Sequence, residues 1–320
     1  RLGGAVFGPE GGWRMPFIVL GALTVLISLG MHGFFRSQRG EHAFRSAYGG
    51  ALRELGKYSA VFFVVIVGVY FVAVRLGLPE WGVAGIITVV ALALVASVFA
   101  RLGGRIAPVL YNRDLFLIYV AFIPILWNLW FFSFWSVSIV SEAAAGSTFL
   151  QAALTAVFFG LAGIAGYPAG GWLADYSKRR GWGRKWMLVA FTFVQGVLTL
   201  LFGLYVMGGG QSLLMLGGLL FAASLFFNAL QPMAQALAAD LTAPAYLGAM
   251  FGMMNLIGEI GAILSPAISG VLRDATGGWV SAVLLDTALI FAGFLLLLFV
   301  REARAAAGRA AEREPAATPE

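Results

Sequence analysis

Apolar residues run in long blocks along this chain, separated by short stretches that hold most of its charge, proline and turn-forming glycine. A helix needs about 20 apolar residues to cross the core of a bilayer. Nine blocks have roughly that length: Met15–Phe35, Tyr58–Val74, Gly82–Ala100, Leu115–Val140, Thr148–Ala174, Trp186–Met207, Leu213–Ala239, Gly248–Val271 and Val280–Val300. The pattern predicts an all-α polytopic membrane protein with nine transmembrane helices.

The basic residues set an orientation, because Lys and Arg in short loops are retained on the cytoplasmic side. Under nine alternating spans, 17 of the 21 fall on one side: Arg36, Arg39, Arg45, Arg53 and Lys57; Arg101, Arg105 and Arg113; Lys178, Arg179, Arg180, Arg184 and Lys185; and Arg301, Arg304, Arg309 and Arg313. Only Arg1, Arg14, Arg75 and Arg273 fall on the other. A missing or surplus span would reverse every later loop and spoil the split. The topology places residue 1 outside and the C-terminus in the cytoplasm. With no initiator Met and no signal segment, the chain reads as the C-terminal part of a longer protein, preceded by an odd number of helices.

Composition narrows the chemistry. The chain is 60% hydrophobic and 11% charged, with no cysteine and two histidines. Disulfides and thiolate metal sites are excluded, a histidine metal cluster is not expected, and no cofactor is implied. The net charge of +6 resides mostly in the cytoplasmic loops and points to anionic lipid rather than nucleic acid. Loop lengths suggest residues 1–57 as one span plus a basic interdomain segment, 58–104 as an accessory pair of spans, 105–303 as a six-helix bundle, and 304–320 as a disordered tail.

Within the bundle a short pattern occurs twice, after the second helix of each triplet of spans: Gly171-Trp172-Leu173-Ala174-Asp175 and Gly270-Val271-Leu272-Arg273-Asp274, preceded by Pro168 and Pro266. Three-helix repeats in opposite orientations are a common way to build a transporter. The stretch GWLADYSKRRGWGRK, Gly171 to Lys185, resembles the signature loop of the major facilitator superfamily, and Gly12-Trp13-Arg14 with Pro16-Phe17 resembles the start of that superfamily's sixth helix. The resemblance covers the chain except Tyr58 to Ala100. It implies that six of the spans form the C-terminal bundle of a major facilitator fold and that five helices precede Arg1. The extra pair of spans implies fourteen in all, as in sialate:proton symporters and one class of multidrug:proton antiporters. The run from Pro266 to Gly277 is similar to the end of the eleventh helix in anion:cation symporters. Together these imply proton-coupled uptake of an organic anion or sugar acid, with a multidrug:proton antiporter as the alternative. In the superfamily the loop acid locks the cytoplasmic side, which makes Gly171, Asp175, Arg184 and Lys185 the expected gating motif. The insertion from Tyr176 to Trp182 departs from the family's close spacing of acid and base.

Few polar side chains lie inside the spans, and these are the candidates for chemistry. Glu259 sits at a span centre, where a charge costs at least about 2.5 kcal/mol, so it must face protein or water and be paired or protonated. Asn255 lies one turn earlier on the same face. The pair is the expected ion-coupling site, with a structural hydrogen-bonding acid as the competing reading. Asn228, Gln231 and Gln235 share one helical face beside Pro232, and either line a solute site or bridge helices. Trp127 and Asn128, together with Gln151, complete the expected solute-binding set, while Trp135 is equally at home among lipid headgroups. Asp286 reads as structural, Gly160, Gly163, Gly166 and Gly170 as close helix packing. No arginine lies deep in a span, so an anionic substrate would need helix N-termini, amides, a coupling cation or residues of preceding helices. No nucleophile–base pair or phosphate-cradling loop suggests an enzyme. A channel or non-transporting receptor remains the alternative from another class.

Overall fold

The structure, a computed structural model, describes residues 14–36, 41–78 and 80–302. Gly12-Trp13 and the 304–320 tail lie outside them. Among the described residues there are nine α-helices and no strand: α1 Arg14–Arg36, α2 Glu41–Arg75, α3 Glu80–Leu110, α4 Arg113–Ala143, α5 Phe149–Arg179, α6 Arg184–Met207, α7 Leu213–Asp240, α8 Leu247–Thr276 and α9 Val280–Leu298. A single 3-10 turn, Pro244–Tyr246, leads into α8. Seven helices are long and apolar enough among the described residues to cross a membrane, namely α2 from Leu55 onward and α4 to α9. In α1 the apolar stretch is shorter, Phe17–Met31. The expected span Gly82–Ala100 falls in α3, where several side chains lie outside the description.

The chain divides into two compact units at Ala100 and Arg101. In the first, α2 runs without a break from the basic stretch into the span, and its large apolar side chains, such as Phe63, Val64 and Phe71, are exposed. Such a face suits a lipid solvent. The helix ends in a Schellman motif: Leu78 N–H donates to Ala73 O and Gly77 N–H to Val74 O, with Gly77 at φ 66°. A residue with a Cβ would be strained there.

In the second unit the most extensive contacts pair α5 with α7, α4 with α8, and α6 with α9. Apolar side chains gain little by leaving lipid for one another, so close approach depends on small residues and on interhelical hydrogen bonds. Both are present. A Cβ on Gly166 would sit 2.6 Å from the Asn228 Cβ, and one on Gly170 would strike the backbone of Ala229. A Cβ on Gly258 would lie 2.5 Å from Phe122 Cδ1, and one on Gly293 would lie 2.8 Å from Pro124 Cγ. Beside these contacts Ser265 Oγ donates to Trp127 O at 2.8 Å, and Ser224 Oγ donates to Phe159 O. Helix α4 is the most buried of the set, with Asn112 capping it by accepting from Asp114 N at 3.0 Å and Leu115 N at 3.1 Å. Phe131, Phe132, Phe159, Phe202 and Phe227 fill the space between α4, α5, α6 and α7, several of them edge-on or tilted.

Gly170→Val should lower the thermal unfolding midpoint of the detergent-solubilised protein by the equivalent of about 1–3 kcal/mol, the usual cost of overpacking. Gly171→Ala, whose added Cβ meets nothing within 4 Å, is expected to leave the midpoint in place.

Candidate functional site

At one end of the bundle the loop from α5 to α6 gathers charge. Helix α5 closes with a second Schellman motif: Trp182 N–H donates to Ser177 O, Gly181 N–H donates to Lys178 O, and Gly181 takes φ 76°. The sharp reversal brings residues nine apart in sequence together. Arg184 Nη2 meets Asp175 Oδ1 at 2.5 Å, so the inserted residues do not part acid from base. The other arm of the same guanidinium, Nη1, meets Asp240 Oδ2 at 2.5 Å, and Lys178 Nζ reaches Asp240 Oδ1 at 2.7 Å. The Arg184 side chain is only 13% exposed, against 58% for Asp175, so Arg184 is the buried hub and Asp175 the outer arm. Asp240, the last residue of α7, had no place in the expected motif.

The first turn of α6 is satisfied from a distance. Glu302 accepts from Arg184 N at 2.7 Å and from Lys185 N at 3.1 Å, a carboxylate on an uncapped helix N-terminus. Lys185 Nζ in turn donates to Leu298 O at 2.8 Å, placing a cation on the last carbonyls of α9. Arg301 N donates to Asp114 Oδ1 at 3.0 Å, which joins the start of α4 to the same junction.

Toward the middle of the spans, the solute-binding candidates fall into different settings. Asn128 and Trp127 lie inside the bundle. Asn128 Nδ2 donates to Asp286 Oδ2 at 2.6 Å, and Asn128 Oδ1 accepts from Gln195 Nε2 at 2.9 Å. On the same helix Trp130, Ser133 and Phe134 point outward instead. Asn228 is buried against Gly163 and Gly166 and donates to Ser224 O at 2.7 Å. Gln231 is half-buried and accepts a 2.7 Å hydrogen bond from Tyr167 Oη, while Gln235 is half-buried one turn further along. Gln151 forms a capping box with Thr148, its Oε1 accepting from Thr148 N at 2.8 Å. Asn228 and Gln231 thus stay near one another, with Gln151 at a helix end.

Asn255 and Glu259 are both exposed on α8. The opposite side of that helix, Met250, Met254, Gly258, Gly261 and Ser265, is buried. At the far end of α8, Arg273 pairs with Glu142 and Asp274, each at 3.1 Å, beside a recess of about 440 Å³ that Trp135 and Trp279 help to line. Trp135 Nε1 donates to Pro266 O at 3.1 Å, so this indole is tied to α8. Among the described residues no group of three or more His, Asp or Glu side chains is placed to hold a metal ion.

Polar ties buried between spans, and an acid on an exposed mid-span face, define a polytopic membrane protein that carries polar groups into the bilayer. Residues 131–319 match the family model described as Major Facilitator Superfamily, more than half of the chain, and the chain belongs to that superfamily. It is also similar to the hexuronate transporter of Bacillus subtilis (strain 168), with 28% identity over 209 residues, 62% of this chain and 48% of that protein. The chain therefore spans about half the length of the curated relative it matches.

Gln195, Tyr167, Asp240 and Glu302 are the polar partners that sequence reasoning passed over. Gln195 carried a signal, as the one amide in the span Trp186–Met207. Because Arg184 holds two carboxylates, Arg184→Ala is expected to cost the equivalent of about 1.5–3 kcal/mol in thermal unfolding. Asp175→Asn, which loosens one exposed arm, should cost under about 1 kcal/mol and lose even that in high salt.

Proposed function

We propose that this chain is the C-terminal part of a proton-coupled secondary transporter that takes up a sugar acid of the hexuronate type by alternating access. The observation that carries the reading is the exposed Asn255–Glu259 face of α8. A carboxyl near the middle of a span is not left to lipid, so that face is wet or covered by other parts of the protein. The substrate class rests on the hexuronate transporter that the chain resembles.

In this reading Glu259 exchanges the coupling proton, and Asn255 positions it from one turn away. Gln231, Gln235 and Tyr167 supply amide and phenol groups suited to sugar hydroxyls, and Trp130 offers an aromatic face for a ring. Asn128 and Trp127 then shape the site from behind it. The Asp175–Arg184–Asp240 cluster acts as the latch between α5, α6 and α7 that holds the closed end shut. A sugar acid's charge is met by amides and by helices that precede this chain. In this reading the latch faces the cytoplasm, the side favoured by the basic residues Lys178, Arg179 and Arg180, with Arg273 and Asp274 opposite.

Two experiments test this. Full-length protein in proteoliposomes, challenged with glucuronate or galacturonate under an inward proton gradient, should show substrate-dependent proton uptake that Glu259→Gln abolishes; uptake of equal size in the variant would remove Glu259 from the coupling path. Single cysteines in a cysteine-free background report orientation. An impermeant maleimide added to intact cells should label Ala275→Cys and leave Trp182→Cys unlabelled, and the reverse pattern would invert the topology.

A further inference from the structure

Asp286 is wholly buried on α9, where it faces α4 and α6. Two amides lead to it. Gln195 Nε2 of α6 donates to Asn128 Oδ1 at 2.9 Å and lies 3.4 Å from Thr199 Oγ1; Asn128 Nδ2 of α4 donates to Asp286 Oδ2 at 2.6 Å. The two shorter bonds run in one direction, from Gln195 through Asn128 to the carboxyl. Two oxygens are left without a partner, Asp286 Oδ1 at one end and Gln195 Oε1 at the other. At the Gln195 end a cavity of about 10 Å³, lined in part by Asn128, Thr192 and Gln195, has room for a single water.

The ionisable groups on the neighbouring helices are engaged or directed elsewhere. On α4 they are Arg113, Asp114 and Glu142 near the ends and the buried Tyr119, whose hydroxyl donates to Val109 O at 3.3 Å. On α6 they are Arg184 and Lys185 at the start and Tyr205, whose hydroxyl accepts from Ser212 N at 3.0 Å. On α8 they are Glu259 on the exposed face and Arg273 and Asp274 at the end. Among the described residues none forms an ion pair with Asp286. A carboxylate held by one neutral donor in a dry interior is costly, and it calls for either a cation or a proton. A hard divalent cation such as calcium collects six or more oxygens, whereas only two stand open here and amide nitrogens occupy the inner positions. A proton needs one oxygen. On Oδ1 it neutralises the buried carboxyl at the oxygen that no other group occupies.

We propose that Asp286 is a proton-binding site of this protein, taking a proton at Oδ1, with Asn128 and Gln195 as its positioning residues. The O–H bond forms with a proton delivered from water and breaks by returning it. The site is independent of Glu259; Asp286 stands on a helix the solute-binding reading does not use, and only Asn128 is common to both.

Infrared difference spectroscopy of the full-length protein in lipid, stepped in pH, tests it. A protonated-carboxyl carbonyl band should titrate in the wild type, persist in Glu259→Gln, vanish in Asp286→Asn and shift in Asn128→Ala, which removes the donor on Oδ2. Should Asp286→Asn fail to fold, the Asn128→Ala shift in protein carrying 13C-labelled aspartate decides the matter. A spectrum in which no carboxyl band depends on Asp286 or moves with Asn128 would overturn the proposal, even if Glu259→Gln abolished transport.

Discussion

A polar atom inside a bilayer has no water to fall back on, and that constraint orders the C-terminal bundle. The pairs α5–α7 and α4–α8 meet where glycine allows backbones to approach, and there a hydroxyl finds a partner on the neighbour, Ser224 on Phe159 O and Ser265 on Trp127 O, while Gln195 finds Asn128 between α6 and α4. Other buried hydroxyls turn back on their own helix, as Thr192 does on Leu188 O and Thr287 on Val283 O. Space and hydrogen bonding are therefore solved together.

The function suggested for the chain follows from the exception to this rule. Glu259 and Asn255 are turned away from the buried side of α8, onto a face that the bundle itself does not cover. An acid on an uncovered mid-span face belongs to an aqueous path or to a contact with further helices. Both fit a superfamily whose relative here is twice the length of the matched stretch.

Much of the fold was legible because lipid demands long apolar runs, and a run of that kind survives errors in its boundaries. The glycines of α5 were legible too: Gly163, Gly166 and Gly170 all face α7, although Gly160 meets nothing. The site was less so. Asp175 and Arg184 looked too far apart because the Gly181 turn, not the residue count, sets their distance. Asp240 and Glu302 arrive from helix ends distant in sequence, and no periodicity points to them. Thr148 and Gln151 carry a capping-box spacing that a search for solute ligands overlooks. Asn128 and Trp130 sit two positions apart on one helix yet face opposite ways, inward and outward, and only the packing of α4 against α5, α7, α8 and α9 decides which is which.

Helices α4, α6 and α9 are joined at two heights. Near one end, Glu302, Lys185, Asp114 and Arg301 interlock the start of α4, the start of α6 and the exit of α9; deep in the spans, Asn128, Gln195 and Asp286 join the same three again. One tie alone is a pivot, about which a helix can tilt. Two ties spaced along the axis remove that freedom, so these three helices form a stiff frame, to which the bonds of Ser265 and Trp135 fasten α8 as well.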